Sequence, residues 1–465
     1  MNAITAPLRE LAEFEEGQAL LKKTGACVGF TGCVDSQKLH MAYGLSDGFR
    51  YKIIVTFSDL KAREIFEDYQ FYDREVTWYP AKDLIFYQAD IHGNQLVTER
   101  MKALRKIIEG KPQTVITTFA ALMSPQVPLE EIAASVIHID ADSSLNEGEL
   151  ARKLAEMGYE KNYQVDAPGQ FSIRGGIIDI FDLTEENPYR IELWGEEVES
   201  IRSFDLLSQR SVEKLNEVDI YPATEMMLSE EQKEKGLRRI EKEAKEFEEK
   251  LRSSFLTEEA HRVKTQIKEL REQVMEFSQM TNLESYIRYF YEDTVSFLRF
   301  FPEGESCVFI DEAARVKEQA LAVEMEFRES MGHRLEKGYI LPGQADLLYG
   351  WEETAGFLQH MRTVLFSSMD SSNALLKPQR KFDVNVKSMS SYNSSFDALV
   401  ADLKRYKKNG YRVLLLSGSR TRARRLAEDL QEQGLASFYS EDGERVVNSG
   451  EVMLYYGHVK RGFEY

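Results

Sequence analysis

The first part of the chain alternates short apolar segments with amphipathic segments, and this alternation restricts the fold more than any other feature. The runs CVGFTG, YKIIVTF and QTVITTF are apolar or β-branched, as buried strands usually are. Helical patterns such as SDLKAREIFEDYQ and LVTERMKALRKIIEG lie between them. Because parallel strands need crossover connections that are usually helices, the pattern predicts βαβ units around a parallel sheet.

A different pattern occupies residues 138–222, where short strands and turns follow one another and only EGELARKLAEMG has a helical period. The segment YRIELW has period two, so its residues face opposite sides of a strand in alternation: Tyr189, Ile191 and Leu193 against Arg190, Glu192 and Trp194. These features predict a compact, mainly antiparallel α+β domain that is inserted into the first domain.

Beyond this domain the chain becomes strongly helical. Ser229 and Gln232 have the spacing of a capping box. Apolar residues then recur at intervals of three and four in two stretches: Leu237, Ile240, Ala244, Phe247 and Leu251, followed by Ala260, Val263, Ile267, Leu270, Val274 and Phe277. The spacing predicts two long helices that pack on each other or on the sheet.

The last part of the sequence returns to alternating strands and helices. The polar stretch SSMDSSNALLKPQRK has the composition of a linker. After it come FDVNVKS, the helical FDALVADLKRYKKNG, the strand RVLLLSG, the helical RARRLAEDLQEQG and the strand EVMLYYG. This order predicts a small C-terminal α/β domain of the doubly wound kind.

Charge and cysteine content exclude several classes of protein. The 59 Lys and Arg residues against 78 Asp and Glu residues give a net charge of −19, so the surface as a whole does not bind DNA by counterion release. Three cysteines without a C-x-x-C pair exclude a disulfide framework and a thiolate zinc site. The sequence contains no apolar run near the ~20 residues of a membrane span, and its acidic N-terminus is unlike a signal peptide. We therefore expect a soluble cytoplasmic protein without a metal site.

The segment GFTGCVDS follows an apolar strand and has part of a P-loop. Gly29, Gly32 and Ser36 are present, but Val34 replaces the second required glycine and Asp35 replaces the lysine. Valine adds a Cβ where the backbone must approach phosphate, and a carboxylate ~4 Å from a phosphate charge is unfavourable by about 4 kcal/mol at an effective dielectric of ~20. The loop is either an unrelated strand–turn–helix or the remnant of an NTPase site.

A second segment, CVFIDE, ends in Asp311 and Glu312 and resembles a Walker B strand, where Asp holds magnesium and Glu orients the attacking water. The alternative is that Asp311 caps the helix EAARVKEQ. Together with the degenerate loop, the segment favours an NTPase ancestor. Without a phosphate-binding loop, however, we expect the two carboxylates to have nothing to act on.

The block APGQFSIRGGIIDIF, followed by NPYRIELWGEEVESIRSFDLLSQRS, resembles the N-terminal region of bacterial transcription-repair coupling factors. It also resembles the second domain of the excision-repair protein UvrB. The resemblance runs across essentially the whole chain, and its most specific part is RGGIIDIF with SFDLLSQR some 30 residues later. It implies an α/β multidomain fold with a helicase-like core at 1–137 and 223–370, an inserted UvrA-binding domain at 138–222, and a small domain at 371–465.

In this family the UvrA-binding surface centres on two arginines and an aromatic residue, which correspond to Arg174, Arg190 and Trp194. Arg190 and Trp194 are four residues apart on one strand and therefore share a face. Exposed Arg beside exposed Trp is typical of an interface hot spot. The alternative is that both arginines pair with nearby glutamates and that Trp194 is buried.

Two departures separate the chain from UvrB, a protein with an intact P-loop and an aromatic-rich hairpin that clamps DNA. Here the P-loop is degenerate, and only about 20 residues lie between Tyr79 and the helix LVTERMKALRKI, too few for such a hairpin with ordinary loop lengths. We therefore expect the N-terminal part of a longer coupling factor, with no catalytic residues and no cofactor of its own. ATP and magnesium are expected only in the translocase region of the longer protein.

The resemblance thus implies a monomeric adaptor that recruits UvrA to RNA polymerase stalled at DNA damage, with RNA polymerase and duplex DNA bound by regions beyond this chain. One alternative is a UvrB-like, DNA-stimulated ATPase. Another is DNA binding through residues 404–425, which contain nine Lys or Arg and no Asp or Glu. The candidate DNA contacts in that segment are Arg420, Arg422, Arg424 and Arg425.

Overall fold

The computed structural model describes residues 4–82, 93–275, 283–370, 376–389, 392, 395–442 and 445–465. The fold is mixed α/β, with a large parallel sheet and separate antiparallel sheets. None of the helices in these ranges combines the length and apolar composition that crossing a bilayer requires.

The strands are β1 (Cys27–Thr31), β2 (Tyr51–Thr56), β3 (Thr77–Tyr79), β4 (Gln113–Thr118), β5 (Ile137–Asp140), β6 (Glu160–Lys161), β7 (Gln170–Arg174), β8 (Ile177–Ile180), β9 (Tyr189–Trp194), β10 (Glu197–Phe204), β11 (Ser211–Leu215), β12 (Glu217–Ile220), β13 (Ser306–Asp311), β14 (Arg362–Phe366), β15 (Arg380–Asp383), β16 (Lys387–Ser388), β17 (Val413–Ser417), β18 (Ala436–Tyr439), β19 (Glu451–Tyr456) and β20 (Phe463–Glu464).

The α-helices are α1 (Ala12–Leu20), α2 (Asp35–Leu45), α3 (Asp59–Tyr69), α4 (Gly93–Ile108), α5 (Phe119–Leu122), α6 (Leu129–Ser135), α7 (Glu147–Glu156), α8 (Glu230–Ser253), α9 (Thr257–Met275), α10 (Ile287–Phe290), α11 (Ala313–Glu336), α12 (Pro342–Ala345), α13 (Trp351–Leu358), α14 (Phe396–Lys408) and α15 (Arg420–Glu432). Short 3₁₀ helices occur at Ala6–Glu10, Leu283–Tyr286 and Phe297–Phe300.

The large sheet has the strand order β15-β1-β14-β13-β2-β4-β3 within the described residues, and all of its neighbouring strands are parallel. The predicted strands CVGFTG, YKIIVTF, QTVITTF and CVFIDE are confirmed as β1, β2, β4 and β13. Alternate residues of these strands enter two different buried clusters: Ile53 and Val55 face α4, α8 and α11, whereas Ile54 faces α2 and α3. Helices on both faces bury the sheet, as the βαβ pattern requires.

Strand β15 lies in the large sheet, although the sequence pattern places FDVNVKS in the small C-terminal domain. It pairs in parallel with β1, so that Phe30 lies opposite Phe382. The two rings stack with centroids 5.3 Å apart, and both side chains are buried. Burial of Phe382 against β1 therefore extends the sheet at an edge that would otherwise be open.

The antiparallel sheet has the order β11-β10-β9-β8-β7-β6 in the described part of the chain, and only β6 and β7 run parallel. Its inner face packs on α7, the predicted helix EGELARKLAEMG. The chain enters this region through β5 and leaves it through β12, and these two strands pair with Ile137 opposite Ile220. The entry and exit points of the region are therefore adjacent.

The two predicted long helices are confirmed as α8 and α9. Ser229 caps α8, since its Oγ accepts a hydrogen bond from the Gln232 amide (3.2 Å) and the Gln232 side chain accepts one from the Ser229 amide (3.0 Å). The apolar residues of both periodic stretches are buried where they are described, whereas Phe277 lies outside the described residues. The segment between Tyr79 and the helix LVTERMKALRKI, which is predicted to be too short for a DNA-clamping hairpin, includes residues 83–92. These residues also lie outside the described ones.

A buried ion pair joins α4 to the segment that returns from the antiparallel region. Arg100, which is 1% exposed, donates its Nε to Glu225 Oε1 (2.5 Å) and its Nη2 to Glu225 Oε2 (2.9 Å). Its Nη1 donates to the Pro80 carbonyl (2.7 Å), and Lys82 Nζ lies 3.2 Å from Glu225. The surrounding polar atoms satisfy both charges, as a buried pair requires.

The small C-terminal sheet has the parallel order β17-β19-β18 within the described ranges. Helices α14 and α15 share one buried cluster with Val452 and Leu454, so both pack on the same face of the sheet. The prediction of a doubly wound unit is therefore wrong in this respect. The opposite face carries a small cluster around Met453, and β20 pairs with β16 outside this sheet.

Candidate functional site

The structure brings the three predicted partner-binding residues to one face of the antiparallel sheet. Arg174 lies opposite Ile177 in the β7–β8 pair, and Ile177 lies opposite Glu192 in the β8–β9 pair. Arg190 and Trp194 flank Glu192 on β9 with period two, which places them on the same side. This side is opposite the core, because the intervening residues of β9 are buried.

A buried carboxylate beneath this face holds both arginines. Asp179, only 1% exposed, accepts hydrogen bonds from Arg190 Nε (2.6 Å) and Nη2 (2.8 Å) and from Arg174 Nη2 (2.9 Å). Arg190 also lies over the Phe204 ring, 4.2 Å from its centroid. The hydrogen bonds to Asp179 raise the pKa of Arg190 above its ordinary value. The guanidinium of Arg190 is thus fixed in a single, bidentate position.

The three side chains differ strongly in exposure. Trp194 is 79% exposed, the side chain of Arg174 is 34% exposed, and that of Arg190 is 14% exposed. The alternative is confirmed in part, because both arginines form ion pairs within the chain, although with Asp179 and not with glutamates; its expectation that Trp194 is buried is wrong. Trp194 and Arg174 are available to a partner, and Arg190 lies below them.

Other residues of this face were not predicted from the sequence. Tyr163 is 85% exposed and lies under Arg174, whose guanidinium carbon is 5.7 Å from the ring centroid. Leu207 is 94% exposed on the turn after β10. Gln209, in the same turn, has φ +57° and accepts a hydrogen bond from Arg190 Nη2 (2.9 Å). Asp179 was detectable in principle, because it alternates with two isoleucines in IIDI and so faces outward with Arg190.

The predicted nucleotide loop is shorter than a P-loop. Gly29 lies inside β1, Val34 is the N-cap residue of α2, and Asp35 and Ser36 already belong to that helix. Only residues 32–34 connect the strand to the helix. Gly32 has φ +75°, and a Cβ there would lie 2.4 Å from the Val384 carbonyl oxygen, so this position requires glycine for the turn.

The predicted Walker B carboxylates bind a lysine that sequence reasoning missed. Lys38 lies in α2, is nearly buried, and places its Nζ 2.8 Å from Asp311 Oδ1 and 2.5 Å from Glu312 Oε1. Thr56 Oγ1 donates to Asp311 (3.0 Å), and the Ser368 amide donates to Glu312 (3.0 Å). An internal ammonium thus neutralises both acids, and the expectation that they have no nucleotide to act on stays a prediction.

Asp311 does not cap the following helix. It is the last residue of β13, and Glu312 is the N-cap residue of α11, with φ +58° and no capping hydrogen bond from its side chain. Burial lowers the pKa of Lys38, but the charges of Asp311 and Glu312 outweigh burial and raise it. The lysine therefore stays charged at the place where a magnesium ion would meet the same carboxylates.

The other polar groups of the predicted nucleotide loop are also engaged within the chain. Ser36 Oγ donates to Asp68 Oδ2 (2.7 Å) and accepts from the Arg461 amide (3.1 Å). The Asp35 carboxylate lies 3.7 Å from the Arg461 guanidinium. Ser36 and the Walker B acids, on which magnesium binding relies in an NTPase, are thus occupied by this chain's own groups.

The basic segment is divided by the structure. Arg420 and Arg424 lie 3.4 Å and 3.6 Å from the carboxylate of Glu441, whereas Arg422 and Arg425 are exposed on the same helix. Arg420 also covers the Tyr456 ring at 4.5 Å. Two of the four candidate DNA contacts are therefore partly neutralised by a neighbouring carboxylate.

Comparison with known proteins gives one family and a consistent set of relatives. Residues 137–226 match the family model of the UvrB interaction domain. A transcription-repair-coupling factor of Bacillus subtilis (strain 168) is 30% identical over 393 residues, which are 84% of this chain and 33% of that protein. A transcription-repair-coupling factor of Staphylococcus aureus (strain Mu50) is 26% identical over all of this chain and 39% of its own length.

The chain therefore spans between about a third and two fifths of the length of these relatives. The UvrB interaction domain match contains all of the predicted partner-binding residues, Arg174, Arg190 and Trp194. The resemblance predicted from RGGIIDIF and SFDLLSQR is thus confirmed: the chain is similar to transcription-repair-coupling factors, and its residues 137–226 match the UvrB interaction domain.

Proposed function

We propose that this chain is an adaptor in transcription-coupled DNA repair and binds UvrA through the outer face of its antiparallel sheet. The observation that carries the proposal is the exposure of Trp194 and Arg174 on one face, above a buried carboxylate that fixes the arginines. Recruitment of UvrA to RNA polymerase stalled at a lesion would follow from this contact. RNA polymerase, duplex DNA and ATP-driven translocation belong, in this proposal, to the part of the longer relatives that the chain does not match.

The proposal also includes a domain arrangement. Residues 1–137 and 223–370 form a helicase-like core, 138–222 form the UvrA-binding domain, and 371–465 form a small α/β domain from which β15 returns to the large sheet. The pairing of β5 with β12 supports the insertion, because the core sheet takes strands from both sides of it.

The geometry suggests how the face recognises a partner. Arg174 gives Asp179 one hydrogen bond, so its remaining N–H groups are available to a carboxylate of UvrA. Trp194 offers a large, rigid apolar surface at low entropic cost, as interface anchors do. Arg190 covers Asp179 and fixes this carboxylate, which in turn keeps Arg174 in position, so Arg190 is a positioning residue in this proposal.

An adaptor is better supported than the UvrB-like ATPase. Val34 and Asp35 replace the P-loop residues that cradle phosphate, and Lys38 neutralises the acids that would hold magnesium. We therefore propose that the chain neither binds nor hydrolyses ATP and needs no cofactor for UvrA binding.

Calorimetric titration with purified UvrA tests the proposal. Arg174→Ala and Trp194→Ala should each weaken binding at least tenfold, because truncation of a central Arg or Trp costs on the order of 2 kcal/mol at an interface. Lys268→Ala is the matched control, since Lys268 is an exposed residue of α9 on another part of the molecule. If both patch variants are folded and bind UvrA like the wild type, this face is not the docking surface.

A further inference from the structure

Residues 458–465 lie across the first turns of α2, where an intact P-loop would present its helix to phosphate. The Lys460 amide donates to Asp68 Oδ1 (2.6 Å), and the Arg461 amide donates to Ser36 Oγ (3.1 Å). Ser36 Oγ in turn donates to Asp68 Oδ2 (2.7 Å), so the three hydrogen bonds form a closed set. Ser36 and Asp68 are 2% and 7% exposed, and the segment therefore covers them.

Side chains of the segment add a second layer of contacts. Lys460 Nζ lies 2.7 Å from Glu64 of α3, and the Arg461 guanidinium lies 3.7 Å from Asp35. These two cations meet two carboxylates of the helices on either side of the covered groove. Charge complementarity thus sets the position of the segment along the helices.

The end of the segment is fixed by a buried histidine. His40 Nε2 lies 2.6 Å from the Ile4 carbonyl and Nδ1 lies 2.7 Å from the Tyr465 hydroxyl. Because a carbonyl only accepts hydrogen bonds, Nε2 carries the proton and Nδ1 accepts from Tyr465. The Phe463 ring packs against His40 with centroids 5.3 Å apart.

The same segment continues directly from the central strand of the small sheet. Gly457 follows β19 and has φ +153°. It lies so close to Phe71 that a Cβ at this position would be 2.4 Å from the ring. Farther along, Phe463 pairs with Ser388 in the β20–β16 ladder, and the Met389 amide donates to the Gly462 carbonyl (2.9 Å). The segment is therefore anchored to the core on one side and to the small unit on the other.

We infer that the former nucleotide loop is now an intramolecular docking site, and that its ligand is residues 458–465 of this chain. Asp35, at the position of the P-loop lysine, lies near the guanidinium of Arg461 in the docked segment. Ser36, at the position of the magnesium-binding serine, accepts a hydrogen bond from the Arg461 amide. Of the two replaced P-loop positions, Asp35 lies near the segment, and the retained Ser36 also contacts it. Docking locks the small α/β unit to the parallel-sheet core.

Two consequences distinguish this arrangement from a merely inactive loop. Val34→Gly with Asp35→Lys restores the P-loop residues, but the new lysine repels Arg461, so the double change weakens docking of the segment. Release of the segment removes one of the links between the small unit and the core, which the Arg74–Tyr456 hydrogen bond and the Arg412–Glu10 ion pair also join.

Amide hydrogen exchange on the whole chain, read by mass spectrometry with peptides that span 458–465, tests the inference without UvrA. In the wild type, the Lys460 and Arg461 amides should be protected, since both are hydrogen-bonded to side chains of the core. Asp68→Ala should lower protection of the segment at least tenfold. Glu272→Ala, an exposed acid of α9, is the matched control and should leave protection unchanged.

A charge-reversal pair guards against unfolding of the Asp68 variant. Arg461→Asp should lower the protection of the segment, and Asp35→Arg in the same chain should restore it, because the pair is re-formed with opposite polarity. Wild-type Lys460 and Arg461 amides that exchange at the rate of an unstructured peptide would overturn the inference. So would unchanged protection in both the Asp68→Ala and the Arg461→Asp variants.

Discussion

Replacing Arg190 with alanine should destabilise the antiparallel sheet far more than replacing Trp194, although both residues lie on its outer face. Arg190 donates two hydrogen bonds to the buried Asp179 and one to Gln209. Removing one partner of a buried ion pair typically costs 3–5 kcal/mol, because it leaves an uncompensated charge. Arg174 still gives Asp179 one hydrogen bond, so we expect a loss of about 2–4 kcal/mol.

The other two substitutions should be milder. Arg174→Ala removes a single hydrogen bond from a side chain that is one third exposed, and should cost about 1 kcal/mol. Trp194→Ala changes a side chain that is 79% exposed, and should cost under about 0.5 kcal/mol. The burial of Asp179 therefore makes the three substitutions unequal in their cost to folding.

Hydrogen exchange of the β8 and β9 amides measures this local stability directly, because these strands flank the ion pair. A double-mutant cycle with Asp179→Asn separates the pair from other effects. Without the buried charge, Arg190→Ala should cost much less stability. The double variant should therefore lose less stability than the two single variants lose together. If Arg190→Ala is no more destabilising than Trp194→Ala, the buried pair does not support the sheet and our account of this face is wrong.

Four further predictions concern the rest of the molecule. Calorimetry with ATP and magnesium should give no binding, and micromolar binding or DNA-stimulated turnover would contradict this. Duplex DNA should bind more weakly than ~10 μM at physiological salt; a sub-micromolar, salt-steep isotherm abolished by Arg422→Ala with Arg425→Ala would contradict it. Burial raises the pKa of Glu225, but the charge of Arg100 outweighs burial and lowers it below 4.5. Thermal stability should therefore fall as the pH drops below 4.5, and Glu225→Gln should flatten this part of the plot of stability against pH. Burial lowers the pKa of His40 from 6.5 to about 4. As the pH falls, the unfolded chain therefore binds a proton at His40 before the folded chain does. Stability should fall as the pH drops below 6.5, and His40→Gln should remove that slope.

Local periodicity was sufficient for much of the fold. The apolar runs that became β1, β2, β4 and β13 and the spacing that became α8 and α9 are visible in the sequence, because burial on a sheet or helix face repeats at short intervals. The same reasoning could not assign β15 to a sheet. FDVNVKS has the period of a strand, but which edge it joins depends on Phe30, some 350 residues earlier.

The candidate site was predicted only as far as its residues share a face. Period two places Arg190 and Trp194 together, whereas the depth at which Arg190 lies follows from its contact with Asp179 on the neighbouring strand. Lys38 was missed for a similar reason, since 273 positions separate it from Asp311. Pairings of that range are set by the tertiary fold and leave no periodic signal in the sequence.

The pairing of β5 with β12 has a consequence for how such a protein evolves. Ile137 and Ile220 lie side by side, so the excursion between them begins and ends at one point of the core. A unit with adjacent ends can be transplanted into another host, or replaced by a short turn, without altering the register of the host's sheet. The match to the family model begins at residue 137 and ends at 226, close to the paired strands β5 and β12. The antiparallel region therefore has the adjacent ends that its insertion into another scaffold, or its removal from this one, would require.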